Sequence, residues 1–514
     1  MKKSTSPMKS SNKACIFKWK AALLLIITFS VLQSCDEDIP SIKTLPILAP
    51  TKVDETAGNW KTVLNINASS ISLPTAEAIS SAAYQAELAE LVSLSKNRTA
   101  SQTSTANYWA AGAVVRWNEI ARALVAKYNI APVVGAPANP NKPFSNPPFA
   151  ARAYALLSVA QYDALVTSWK FKYQINRPAP ASTNASIKLL TPETTLPSFP
   201  SEHAVVAEAS RKVLEFLFPA EKEYLQKLAD ENKNSRKWAG ANTQSDLDAG
   251  TSLGSQVATL AINRAKTDRM SQAGSQTTFI DYFNIARIAE SDRWISLELP
   301  YRPPMLPLYG KVKTWYDSLS AFAALPPAPP ALTSVEFKNA LQEVRKIADE
   351  RTREQWRIAD FWADGAGTYT PPGHWNLIAQ ELIIESKWSE VRSARGFSLM
   401  NRAVMDAGIL CWYSKYQYYL PRPSQLDPAI KTATGIPNFP SYTSGHASFS
   451  GAAATLLAYL FPTQANRLLN QADEAAMSRL YGGIHYRFDN DRGKECGAKI
   501  GQLAVAWAQA DGAN

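Results

Sequence analysis

The chain has 514 residues, 46% of them hydrophobic, which is too long for one ordinary core and rich enough to fill two or three. Its formal net charge of +10 comes largely from six lysines in the first twenty residues; without them it is +4, which excludes the strongly basic surface that a nucleic-acid partner would call for. Only four histidines and four cysteines are present, so each repays inspection.

In chain order, residues 1–34 read as a lipoprotein signal peptide. A basic start is followed by the 12-residue apolar run "AALLLIITFSVL", too short to span a bilayer, and then by "LQSC" as a lipobox. Cys35 is the expected lipidation site. The mature protein is then exported and held at the outer membrane, on its periplasmic face or at the cell surface, through acyl chains alone. "DEDIP" after Cys35 resembles the acidic signal that sends some lipoproteins to the surface. Cys15 lies in the signal, and Cys411 and Cys496 sit in apolar helical patterns expected to hold buried free thiols, although an oxidising compartment permits a disulfide between them.

Residues 35–72 form a polar tether and an extended segment. From there apolar residues recur at three- and four-residue spacing, as in "AYQAELAELVSLSK", "AGAVVRWNEIARALVAKY" and "ARAYALLSVAQYDALVTSWKFKY", then "HWNLIAQELIIESKW", "LMNRAVMDAGILCWYSKYQYY" and "ASFSGAAATLLAYLF". Alternating β-branched runs are scarce. The expected fold is all-α: an N-terminal helical bundle over 73–270, a connecting segment over 271–334, and a C-terminal bundle over 335–514. "APVVGAPANPNKPFSNPP" and "LPPAPPAL" cannot continue helices and read as a loop and a connection.

The two bundles repeat each other. "FPSEHAVVAEASRKVLEFLFP", ending at Pro219, aligns without a gap on "TSGHASFSGAAATLLAYLFP", ending at Pro462, at an offset of 243 residues. Asp163, Trp169 and Lys172 pair with Asp406, Trp412 and Lys415, and Ser235, Arg236 and Asp246 pair with Ser478, Arg479 and Asp489. The copies are unequal: Glu202 stands opposite Gly445, and Asn242 opposite His485. Only the C-terminal copy is expected to carry a complete site, with His203 a structural remnant.

That site is read from three pieces in order: Lys415 and Arg422 in "KYQYYLPRP", Ser444, Gly445 and His446 in "PSYTSGHA", and Arg479, His485 and Asp489 in "SRLYGGIHYRFD". Three cations gathered on apolar helices repel one another and need an anion. A tetrahedral oxyanion suits them: arginine offers a planar fork, lysine a point charge, and a Ser-Gly-His segment opening a helix offers free N–H groups. Asp489, one turn after His485, is placed to fix its tautomer and raise its basicity. Taken singly, the pieces read as solvated helix ends, a turn and a structural ion pair.

Together, Lys415-x6-Arg422-Pro423, Ser444-Gly445-His446 and Arg479-x5-His485-x3-Asp489 resemble the three-part signature of the vanadium-dependent haloperoxidases and the type-2 phosphatidic acid phosphatase superfamily. The resemblance covers most of the mature chain and departs from the pattern at Thr443, where the family usually has proline. It implies vanadate as cofactor, bound through vanadium by His485, with its oxygens held by Lys415, Arg422, Ser444, Gly445 and Arg479, and with His446 as acid-base partner. Phosphate could occupy the same cage. Trp412 and Phe439 resemble halide-pocket residues, although such rings on helices are more often core. "FWADGAGTYTPPGHWN" resembles the segment whose aspartate, here Asp364, pairs with the anion-site arginine, and His374 within it is expected to be structural or to line the entrance.

The function expected from the resemblance is oxidation of halide by hydrogen peroxide to hypohalous acid, which halogenates a small organic acceptor, with Lys415, His446 and His485 at the chemistry. An acid phosphatase working through a phosphohistidine on His485 is the alternative. A non-catalytic glycan-binding lipoprotein is a third reading, and it gives no reason to gather three cations and two imidazoles.

Overall fold

The computed structural model describes residues 45–133, 139–274, 292–297 and 304–513. The signal peptide, Cys35 and parts of the connecting segment lie outside the described residues. Among the described residues every regular element is helical, and no helix is long and apolar enough to cross a membrane.

In chain order the α-helices are α1 (Ala82–Lys96), α2 (Ala100–Trp109), α3 (Ala113–Tyr128), α4 (Pro147–Ile175), α5 (Pro180–Thr183), α6 (Glu202–Leu217), α7 (Lys222–Trp238) and α8 (Gln244–Lys266). They continue as α9 (Ser318–Phe322), α10 (Val335–Glu350), α11 (Arg353–Phe361), α12 (Thr370–Glu385), α13 (Glu390–Tyr418), α14 (Pro423–Leu426), α15 (Gly445–Leu460), α16 (Ala465–Tyr481) and α17 (Arg487–Gln509). Helices α13 to α17 each begin 243 residues after α4 to α8 and have the same lengths. The register seen in the sequence is therefore also a register of helix boundaries.

The ends follow from local chemistry. Asn146 and Ser389 cap α4 and α13 by accepting from Phe149 and Arg392 amides, and Asn176 and Tyr419 end these helices in the left-handed conformation. Ser201 and Ser444 cap α6 and α15. At the far ends, Arg152 pairs with Asp268 at 2.6 Å and Arg395 with Asp511 at 2.7 Å, buried bridges at the same offset.

Helices α4 and α13 are buried along most of their length and pack against each other at the centre, with α6 and α8 on one side and α15 and α17 on the other. The α15–α17 and α6–α8 pairs approach at glycine. A Cβ on Gly497 would lie 2.1 Å from the Ser448 carbonyl oxygen, and one on Gly254 would lie 2.4 Å from that of Val205. This contact brings the first turn of α17, with Asp489, against the start of α15. Between the halves runs a buried amide seam: Asn118 donates to Asn376 at 2.8 Å, Asn376 donates to Asn401 at 2.7 Å, and Arg122 donates to Gln380 at 2.7 Å.

Candidate active site

The site forms where the ends of α13, α15, α16 and the start of α17 meet. Lys415 lies in the last turn of α13, Arg422 just beyond it, and Ser444 caps α15, whose first residues are Gly445 and His446. Arg479 lies in the last turn of α16, and His485 and Asp489 flank the start of α17. The expected helix opening at Ser444 is present: its Oγ accepts from the Ala447 amide, which leaves the hydroxyl proton free to donate.

Two cations tie down the loop before α15. Lys415 Nζ donates to the carbonyls of Pro440 and Ser441, each at 2.9 Å, and to that of Thr443. Arg422 donates to the carbonyls of Phe439, Pro440 and Ile484 and, at 3.0 Å, to His485 Nε2. Because guanidinium only donates, Nε2 is the accepting nitrogen, and the proton sits on Nδ1, which donates to Asp489 Oδ2 at 2.8 Å. Asp489 thus selects the tautomer that turns a lone pair toward the cations.

Lys415, Arg422, Arg479, His485 and Asp489 are all buried, and their electrostatics follow from that. Burial pushes Arg422 and Arg479 down to about 10, and it lowers Lys415 as well, assisted by the charge of Arg422. Burial and then the cations hold His485 and His446 well below the usual imidazole range. The expectation that Asp489 raises the basicity of His485 is therefore outweighed by desolvation and by Arg422 and Lys415. Asp489 offsets Lys415 and Arg422, and Asp364 offsets Arg479, so three buried cations have two carboxylates near them, and an added oxyanion offsets the remaining cost of burying them.

The residues fit such a group. His446 Nε2 is buried without a hydrogen-bond partner, while His446 feels Arg479 and is felt by His485. A Cβ on Gly445 would meet only the rings of Trp412 at 3.6 Å and Phe449 at 3.8 Å, so the backbone is open on the remaining side. Trp412 and Phe439 stand beside the cage, their centroids 5.0 Å apart, with Phe439 4.9 Å from Lys415 Nζ.

Asp364 takes a different partner from the one the resemblance implies. Both its oxygens lie 3.2 Å from His374 Nδ1, and His374 is stacked on Trp362 at 4.4 Å. Arg479 instead donates to the Ala359 carbonyl at 2.7 Å and to Ser478 Oγ at 2.9 Å, and it feels Asp364 only as a nearby negative charge. His374 is structural in this sense. Cys411 and Cys496 are free and buried, and Cys411 Sγ donates to the Thr443 carbonyl beside Lys415.

One residue escaped the sequence reading: Ser441, which donates to Asp489 Oδ2 at 2.5 Å. The offset could have found it, since Ser198, 243 residues earlier, donates to Asp246.

In the N-terminal copy the same places are filled differently. Glu202 forms an ion pair with Lys172 at 2.9 Å. Burial works against its charge, yet Lys172 foremost, with Arg236 behind it, pulls its carboxyl down to about 2. This copy carries its own anion.

Residues 398–511 match the model of the PAP2 superfamily. That stretch, which holds Lys415 through Asp489, is matched as a PAP2 superfamily domain. The chain is 31% identical over 196 residues to the vanadium chloroperoxidase of Curvularia inaequalis, an alignment that takes in 30% of this chain and 32% of that protein. The match thus spans about a third of the length of that curated relative. Among solved structures, the chain resembles the first bacterial vanadium-dependent iodoperoxidase with a TM-score of 0.59 and 23% identity, over 77% of this chain and 95% of that one. The all-α fold is that of the vanadium-dependent haloperoxidases.

Proposed function

We propose that the protein is a vanadate-dependent haloperoxidase that uses hydrogen peroxide to oxidise halide to hypohalous acid. The observation that carries this reading is the ring wall on the cage: Phe439 lies 4.9 Å from Lys415 Nζ and 5.1 Å from the Arg422 guanidinium, with Trp412 packed against it. A wall of ring carbons beside buried cations suits a weakly hydrated halide better than the polar head of a phosphate ester.

His485 Nε2 would hold the vanadium of vanadate, and Lys415, Arg422, Ser444, Gly445 and Arg479 would hold its oxygens. When bound, vanadate supplies an electrophilic centre that activates peroxide toward halide without changing oxidation state. Asp489 keeps the His485 proton on Nδ1, with Ser441 holding Asp489 in turn. His446, depressed in pKa and hence neutral near pH 7, accepts a proton at Nε2 and returns it. Export and acylation at Cys35 belong to the same proposal, and mass spectrometry of the membrane-extracted protein tests them.

After incubation with orthovanadate, the protein is expected to halogenate a dione reporter with peroxide and bromide or iodide, and phosphate is expected to inhibit competitively. Phosphate-ester hydrolysis without halide oxidation would replace this reading by the phosphatase, with His485 as nucleophile, an activity that the PAP2 match also accommodates. Binding of neither oxyanion would leave the non-catalytic lipoprotein.

A further inference from the structure

The N-terminal copy contains a cavity of about 420 Å³ over the place that corresponds to the cage. Two of its lining positions carry smaller residues than their counterparts at the repeat offset. Ala179 stands where the C-terminal copy has Arg422, and Asn242 where it has His485, and both line the cavity. Ala179 cannot fill the volume that Arg422 fills in the other copy, and Asn242 is turned away, donating to the Ser198 carbonyl and accepting from Ser201.

Charge decides what the cavity can take. Lys172 is bound to Glu202 and to the Pro197 carbonyl, and Arg177 to Asp246 at 3.1 Å. Glu390 accepts from the amides of Ala113 and Val114 at the start of α3, and burial pushes its carboxyl up to about 7. His203, held well below the usual range by burial, is neutral. Arg236 feels Glu202 and Glu390 as nearby negative charges but donates to neither. It is 92% buried and lines the cavity, Nε has no partner, and its guanidinium forms no ion pair or hydrogen bond with a described residue. Its counterpart Arg479 is satisfied by Ala359 and Ser478. A buried arginine left with its donors unmet beside an open volume costs more than almost any other buried polar group.

We propose that this cavity binds a small organic monocarboxylate, whose carboxylate takes the fork of Arg236 and whose apolar body lies against Leu48, Trp169 and Leu196. A guanidinium fork whose donors are unmet calls for a planar carboxylate. Glu202, held ionised by Lys172, repels a phosphate or vanadate dianion more strongly than a monocarboxylate, so the site selects against the anions that suit the other copy. The walls reward a body of carbon rather than a bare inorganic ion. The site does not depend on the activity assigned to the C-terminal cage.

The full-length protein, saturated with orthovanadate, is titrated calorimetrically with benzoate, phenylacetate and hexanoate, and separately with inorganic phosphate. Saturable binding of at least one carboxylate at one site per chain is expected. Arg236→Gln should weaken it about tenfold or more, as loss of a charged hydrogen-bonding partner implies. Ala179→Leu, at a partly exposed position, alters no charge and puts three more carbons into the cavity beside the fork; it should weaken binding comparably while vanadate affinity stays unchanged. Failure of all three carboxylates to saturate, or binding that survives Ala179→Leu, overturns the site. Phosphate binding at Arg236 more tightly than the carboxylates overturns the ligand class, and carboxylate displaced by vanadate overturns the location.

Discussion

The N-terminal copy suggests how to close the C-terminal site with one residue. Gly445→Glu places a carboxylate where Glu202 stands in the other half, within reach of Lys415 as Glu202 is within reach of Lys172 at 2.9 Å. The gain can be worked from that copy. There the cations, net of burial, move a glutamate from 4.5 to about 2, which at 1.36 kcal/mol per unit is roughly 3 kcal/mol in favour of the bound carboxylate. Vanadate must displace that interaction, so its affinity should fall roughly a hundredfold. Arg422, a cation that the N-terminal copy lacks, acts in the same direction. The assay is an orthovanadate titration followed by tryptophan fluorescence, with thermal unfolding in the presence and absence of phosphate. Gly445→Ala is the control, since its Cβ meets Trp412 and Phe449 at ordinary contact distances and adds no charge. The glutamate variant should unfold no earlier than wild type in phosphate-free buffer and lose the stabilisation that phosphate gives. A folded Gly445→Glu protein that binds vanadate within about threefold of wild type would refute the view that an internal carboxylate substitutes for the anion.

His485→Ala should abolish halide oxidation while weak oxyanion binding persists on Lys415, Arg422 and Arg479, as vanadate titration alongside turnover would reveal. Arg479→Ala should weaken vanadate by about 3 to 4 kcal/mol, as for one strong oxyanion donor, which the same titration measures. Ser441→Ala removes the 2.5 Å bond to Asp489 and should cost about 1 to 3 kcal/mol, read from denaturant midpoints, and lower turnover without abolishing it. For pH, burial raises Asp406 from 3.8 to about 7, so its proton contributes stability that is complete below pH 3.8 and lost as pH rises through 7. The advantage of wild type over Asp406→Asn in denaturant midpoint should therefore shrink between pH 4 and 7; an advantage that grows would contradict the burial.

The cage was legible because each member lies on or beside a helix whose apolar period could be read, and helix geometry then fixes its neighbours. Lys415 and Trp412 are one turn apart on α13, and His485 and Asp489 bracket the start of α17. The 243-residue offset was legible for the same reason, and it supplied the contrast between Gly445 and Glu202. Contacts made by loops were not. The pairing of Asp364 with His374 depends on how the chain turns after α11, and the carbonyls of Pro440 and Thr443 that hold Lys415 carry no side-chain signal; nor does the carbonyl of Ala359, near the end of α11, that accepts from Arg479. Ala179 opposite Arg422 was readable in principle, but its consequence is a volume, and volume appears only once the helices are packed.

The amide seam of Asn118, Asn376 and Asn401 has a consequence for how the protein can be divided. Side-chain amides that satisfy one another across an internal boundary leave donors and acceptors exposed when either side is removed, together with the apolar face of α13 that lies on α4. The half without the complete cage therefore behaves as an obligate subunit carried on the same chain. A C-terminal fragment bearing every cage residue is then expected to aggregate unless the N-terminal fragment is supplied beside it in trans.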